Sequence, residues 1–160
     1  MNVSLDDRAN DGDRAGEGDN VRSDVENLTL GQGDDIASGD DDANNIDGEA
    51  GANTIHGNGG DDRVIGGSGN DALYGDAGND LIRGQGGLDW IDDGDGNDDV
   101  DGADGRDTLY ADAGPNGADI LAGGPDYDRL GYDNRATDVN RGRCRSRSWR
   151  RRRRRRCRRA

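Results

Sequence analysis

Carboxylates recur at a fixed interval in this chain. Asp62, Asp71, Asp80, Asp89, Asp98 and Asp107 stand nine residues apart, and Asp35 precedes them in the same phase. Asp119 and Asp128 follow, again nine apart, after a three-residue insertion around Pro115 and Asn116. Glycines keep the same clock. Gly57, Gly66, Gly75 and Gly84 come five residues before an Asp, and Gly60, Gly69, Gly78 and Gly87 come two residues before one. Paired carboxylates can hydrolyse glycosides, but only around a pocket that sets the two apart. Nothing in this sequence supplies the residues to build one. Carboxylates among turn carbonyls instead suit a hard cation that takes oxygen ligands. Glycine lets a carbonyl turn inward with no side chain in the way.

The elements that must position these groups follow from a second series. Single apolar residues stand at Leu28, Ala37, Ile46, Ile55, Val64, Leu73, Ile82, Ile91, Val100 and Leu109, then at Leu121 and Leu130 after the insertion. A nine-residue unit is too short for a helical hairpin. A strand of about three residues around the aliphatic one, then a turn of about six rich in Gly and Asp, fits the spacing. Side chains alternate across a strand, so the central aliphatic points inward. Its neighbours, such as Ala72 and Tyr74 or Leu81 and Arg83, point outward. Stacking such units gives two short parallel sheets with a thin aliphatic seam between them. One buried aliphatic group per nine ordered residues falls well short of the chain entropy lost. Stacked carboxylates add repulsion. A bound cation would therefore contribute folding energy directly.

Composition alone points elsewhere. Hydrophobic residues make up 29% and charged residues 35%, with no Phe, the profile of a disordered chain. The repeat period overrides that reading. Charge is split: all 35 acids lie at or before Asp138 with only eight Arg before Arg141, which leaves −27 on residues 1–140. The last twenty residues hold thirteen Arg and no acid. Both cysteines, Cys144 and Cys157, sit in that basic tail, so no disulfide framework holds the repeats. No apolar run reaches membrane-spanning length, and MNVSLDDRAND lacks the apolar stretch of a secretory signal.

The copies GGSGNDALY at 66–74, GDAGNDLIR at 75–83 and GADGRDTLY at 102–110 resemble the RTX, or haemolysin-type, calcium-binding nonapeptide G-G-x-G-x-D-x-U-x. GNGGDDRVI, GQGGLDWID and DGDGNDDVD are close to it. The resemblance covers roughly residues 30–131. It implies an all-β parallel β-roll, a solenoid in which two nonapeptides make one coil and several Ca²⁺ lie between stacked turns. The ligands it implies are the sixth-position Asp side chains and turn backbone carbonyls. Carried onto this chain, one edge holds Asp62, Asp80 and Asp98, and the other Asp71, Asp89 and Asp107. Asp35, Asp119 and Asp128 extend the series, and Gly57, Gly66, Gly75, Gly84, Gly60, Gly69, Gly78 and Gly87 supply turn backbone. Asn44 and Asn53 depart from the pattern and are expected to weaken the first sites by losing a charge. The insertion before Asp119 is expected to disturb the last two repeats. The resemblance also implies a secreted or surface-exposed, bacterial protein, whose repeats stay extended during export and become rigid outside.

The expected organisation is a loop-rich leading segment over 1–29, with a capping strand near Leu28, and the roll over 30–131. A partial inter-module segment over 132–140 follows. Family members carry a segment resembling Y-x-x-R-x-x-x-V-x-V-S-L-D; Tyr132, Arg135 and Val139 match its first half, and Val3-Ser4-Leu5-Asp6 its second. The Arg-rich tail over 141–160 is expected to be disordered. Asp and Gly codons GAC and GGC, read from their third base, give the Arg codons CGA and CGG, so a shifted frame accounts for it. The rival reading is a basic segment for nucleic acid, anionic lipid or an acidic partner. DGDGNDDVDGAD at 93–104 resembles an EF-hand loop, but Asp98 stands where that loop needs Gly, and Asp104 where it needs Glu. His56 is the only His, which rules out a multi-histidine zinc site. Three functions are in play: a non-enzymatic calcium-binding structural module; an adhesion or partner-binding segment using outward faces such as Trp90 and the Tyr residues; or a non-catalytic fragment of a larger secreted enzyme or toxin. The repeats themselves predict no nucleic-acid partner and no transmembrane segment.

Overall fold

The computed structural model describes residues 2–5, 23–111 and 117–132. The Arg-rich tail, all but Tyr132 of the inter-module segment, and most of the leading segment lie outside the described residues.

Each aliphatic position is the second residue of a strand. The strands are β1 (Asn2–Ser4), β2 (Asn27–Thr29), β3 (Ile36–Ser38), β4 (Asn45–Asp47), β5 (Thr54–His56), β6 (Arg63–Ser68) and β7 (Ala72–Tyr74). They continue as β8 (Leu81–Gly87), β9 (Trp90–Asp92), β10 (Asp99–Gly105), β11 (Thr108–Ala111), β12 (Ile120–Ala122) and β13 (Arg129–Tyr132). Odd-numbered strands form one sheet in the order β1-β3-β5-β7-β9-β11-β13, and even-numbered strands the other, in the order β2 to β12. All pairs are parallel. Leu73 pairs with Ile55 and Ile91, and Ile82 with Val64 and Val100. The result is a β-solenoid of about six turns, as the period predicts, with no helix among the described residues.

The seam is one residue wide. Ala37, Ile46, Ile55, Val64, Leu73, Ile82, Ile91 and Val100 are fully buried in a single cluster. On β5, β7 and β9 their neighbours are half-buried, as alternation requires; on β6, Ile65 beside Val64 is buried as well.

Glycine at the fourth position has a steric cause. Gly78 has φ +151°, and a Cβ there would collide with the Gly60 carbonyl of the coil before. The second position also takes left-handed φ, with Glu49, Asn58, Asp76, Gln85 and Ala103 all between 57° and 72°, a region non-glycine residues enter at a cost. Side-chain acceptors brace three of them: Glu49 N–H donates to Asp47 Oδ1, Ala103 N–H to Asp101 Oδ1, and Asn58 N–H to Asp76 Oδ2.

Two features differ from expectation. The last two repeats do stack in register, with Val100 opposite Leu121 and Leu109 opposite Leu130. The insertion lies wholly between β11 and β12, so both later strands shift by the same three residues and recover their partners. At the other end, Val3 of β1 pairs with Ala37, and Leu5 N–H donates to Ser38 O. A strand from the leading segment thus takes the seat of a missing repeat. The stretch 93–104 ends in β10 with no helix beside it, so the EF-hand alternative does not apply.

Candidate metal centre

The sixth-position residue leaves the turn just ahead of each strand, so its side chain lies along the turn edge of the solenoid. There it bonds to the coil before. On one edge the N–H groups of Asn44, Asp62 and Asp80 donate to Oδ1 of Asp62, Asp80 and Asp98, each at 2.8 Å. Asp98 N–H donates to Asp119 Oδ1 at 3.3 Å. On the other edge Asp35 donates to Asn53, Asn53 to Asp71, Asp71 to Asp89, Asp89 to Asp107 and Asp107 to Asp128. The two ladders are the two edges drawn from the sequence.

This bonding engages one carboxylate oxygen. The other, Oδ2, is buried and has no hydrogen-bond partner in Asp62, Asp71, Asp80, Asp89, Asp98 and Asp107. These residues are at most 3% exposed. Unpaired buried polar atoms are rare because their desolvation is uncompensated. Six in one repeating place are a designed feature.

In Asp62, Asp71, Asp80, Asp89 and Asp107 the Oδ2 faces the first-position glycine of its own turn; the turn of Asp98 opens with Asp93 instead. A Cβ on Gly66 would lie 2.5 Å from Asp71 Oδ2, and one on Gly75 2.6 Å from Asp80 Oδ2. At Gly57, Gly75, Gly84 and Gly102 the same Cβ would meet the first-position carbonyl of the next coil. At Gly57 that is Gly75 O, at 2.7 Å, and at Gly84 it is Gly102 O, at 2.7 Å. These four cradles therefore each hold a carboxylate oxygen and a carbonyl oxygen, in a space a methyl group would fill. The fourth-position carbonyls point along the stack instead, Gly60 O onto Gly78 and Gly69 O onto Gly87.

The electrostatics agree. Burial pushes the carboxyls of Asp62, Asp80 and Asp98 up to about 7, and that of Asp89 up to about 6. Asp71 and Asp107 are raised for the same reason. The N–H from the preceding coil pulls each one back, and neighbouring carboxylates push Asp62, Asp80, Asp89, Asp98 and Asp107 further up. A cation beside Oδ2 would reverse this balance. The donor set is anionic and all-oxygen, which fits a hard divalent ion of the Ca²⁺ kind.

The family comparison bears on the same repeats. The model of the RTX calcium-binding nonapeptide repeat (4 copies) matches residues 23–55, 38–73, 47–82, 56–91, 74–109, 83–116 and 94–130. The chain belongs to this family. No match was found among the curated proteins or the solved structures.

Within the RTX roll, the other sequence-derived positions fall at the ends. Asp119 is half-buried and Asp128 exposed, on the last coils described, while Asp35 is buried near the first. A further ladder runs at the fifth position. Asp61 Oδ1 accepts from Asn79 N–H, Asn79 Oδ1 from Asn97 N–H, and Asn97 Oδ1 from Ala118 N–H. The Asn79 N–H, with Asn79 Nδ2 donating to the same oxygen, holds the Asp61 carboxyl below its ordinary range. Asn or Asp at fifth positions 34, 61, 70, 79 and 97 was the signal available for it.

Proposed function

We propose that this RTX module binds several Ca²⁺ along its two turn edges and folds as it does so, as a structural segment of a secreted or surface-exposed protein. One observation carries the reading: six buried carboxylate oxygens without a partner, with a turn carbonyl beside those of Asp62, Asp80, Asp89 and Asp107. Asp62, Asp80 and Asp98 would hold ions on one edge, and Asp71, Asp89 and Asp107 on the other. First-position carbonyls such as Gly75 O and Gly102 O would complete the cradles. Bound Ca²⁺ supplies the positive charge that these oxygens lack in the protein itself. The chain's part is to hold each carboxylate in place through its Oδ1 bond and keep water from Oδ2. That use of the paired carboxylates supports a structural role over a catalytic one.

Extracellular calcium modules bind at about 10⁻⁴–10⁻³ M. Such affinity leaves the repeats unfolded at cytosolic calcium and folded outside, which suits export of an extended chain. Far-UV circular dichroism during a calcium titration of the calcium-free chain tests this. A cooperative rise in β signal with Ca²⁺, and none at equal Mg²⁺, is expected. A spectrum indifferent to Ca²⁺ contradicts the reading.

A second reading has its own observation. His56 and Tyr74 stack at 4.1 Å on the outer face of the odd-numbered sheet, and Trp90 and Tyr110 continue the row at 5.0 and 5.2 Å. Such a stripe suits adhesion or partner binding by that face. Retention of the calcium-loaded chain on a candidate surface should fall in a Trp90→Ala variant if the stripe makes the contact. Equal retention removes this reading.

A further inference from the structure

One interval of the ladder differs in kind. On the edge of Asp62, Asp80 and Asp98, the turns open with Gly39, Gly57, Gly75 and then Asp93. In the glycine turns the place of a Cβ lies against the carboxylate oxygen, as at Gly75, where it would meet Asp80 Oδ2. Asp93 places a whole side chain in that seat, and it is 1% exposed. One carboxylate oxygen from each of Asp93, Asp98 and Asp119 lies within 4.8 Å of the others. Asp98 Oδ1 is engaged by Asp80 N–H at 2.8 Å, and its Oδ2 is buried with no partner. Asp119 comes from beyond the insertion. The bond from Asp98 N–H to Asp119 Oδ1 is 3.3 Å, against 2.8 Å between Asp62 and Asp80. The carboxylate bond is thus longer where the extra carboxylate enters, while the backbone pairing beside it is kept, Ile120 N–H donating to Asp98 O at 2.7 Å.

We propose that Asp93, Asp98 and Asp119 form a distinct three-carboxylate Ca²⁺ site, tighter than the repeat sites and loaded before them. The proposal rests on the calcium reading above and goes beyond it in assigning Asp93, which occupies a glycine position of the repeat. The number of charged ligands is one of the terms that sets calcium affinity. This interval has one carboxylate more than the regular ones on either edge, where the first position is Gly from Gly39 to Gly102. Three carboxylates this close repel each other strongly when desolvated, so a cation gains most here. The site also ties the coil of Asp98 to the first coil beyond the insertion, where the register is set by residues 21 apart rather than 18. Loading it first would fix the two repeats that the insertion separates from the rest.

The test is calorimetric titration of the full chain with CaCl₂ from a calcium-free start, comparing wild type with Asp93→Gly and Asp93→Asn. Asp93→Gly restores the residue of the other turns, and Asp93→Asn keeps the side chain's size while removing its charge. Wild type should show one tight ion ahead of a weaker array. Both variants should lose the tight class, their first ion binding about tenfold or more weaker, with the array's midpoint retained. Should Asp93→Gly fail to reach the wild-type spectrum at saturating calcium, Asp93→Asn alone carries the comparison. Variant isotherms that superimpose on wild type overturn this proposal and leave the general reading standing. No calcium binding by wild type overturns both.

Discussion

Asn53 and Asp71 hold the same place in successive coils of one edge, and they complete the same turn differently. Asn53 accepts Asp35 N–H on Oδ1, and its Nδ2 donates to Gly48 O at 3.2 Å and Gly66 O at 3.4 Å. Asp71 accepts Asn53 N–H on Oδ1, but its Oδ2 has no donor to meet. The amide brings the positive end of a dipole to the carbonyls of the cradle. The carboxylate brings a negative charge to the same kind of place. Asn44 is likewise satisfied within its own turn, accepting from Asp40 N–H and donating to Asp40 Oδ1. The early coils thus carry their own donor, and the coils from Asp62 onward await one. Loss of charge at Asn44 and Asn53 is only part of why they depart from the ion-binding pattern; their NH₂ groups do part of a cation's work.

This contrast can be broken or sharpened by substitution. The largest effect is expected at Asp80, which joins two neighbours in its ladder. Asp80→Ala should raise the calcium midpoint several-fold, whereas Asn44→Ala should leave it nearly unchanged. Equal shifts would erase the distinction between the two kinds of coil.

Acidity comes next. With folded carboxyls at about 7 for Asp62, Asp80 and Asp98 and about 6 for Asp89, the calcium-free roll binds more protons than the unfolded chain between about pH 4 and 7. Its stability therefore falls as pH rises through that window. Ions must displace these protons, so the calcium midpoint should climb as pH drops from 8 to 6. A flat midpoint in titrations at both pH values would show that Oδ2 is not where the ion binds.

A smaller change should follow Asn53→Asp. The substitution removes a donor from a buried cradle, at a cost of about 1–3 kcal/mol without calcium. In its presence the variant should bind one more ion by equilibrium dialysis. Unchanged stoichiometry would mean that charge at this place is not enough to build a site. Ile82→Val should matter least, costing about 0.5–1.5 kcal/mol by denaturant melts. The cost should be the same at any saturating calcium level, because the seam and the edges are separate sources of stability.

The period made the seam and both edges legible. A residue type that repeats every nine positions marks Ile46 to Val100 as inward, and puts Asp62, Asp80 and Asp98 on one side. What escaped has no period of its own. The left-handed second position is filled by Glu49, Asn58, Asp76, Gln85 and Ala103, which share no side-chain chemistry, so the backbone demand leaves no trace in composition. Val3 reaches Ala37 across a stretch that does not repeat, and only tertiary pairing reveals it. The insertion looked disruptive because a phase shift in sequence resembles a break, although a turn can absorb it. Asp93 stood out as an exception to the Gly pattern, but its meaning depends on Asp119, which lies on the next coil.

The central claim is that a donor to the turn carbonyls, whether amide or cation, decides whether these coils fold. The most direct measurement compares far-UV circular dichroism of wild type in excess chelator with a variant carrying Asn at 62, 71, 80, 89, 98 and 107. The account predicts that wild type loses its β signal and regains it with Ca²⁺, while the Asn variant keeps a β signal with chelator present. A wild-type spectrum and melting point untouched by the chelator would contradict it.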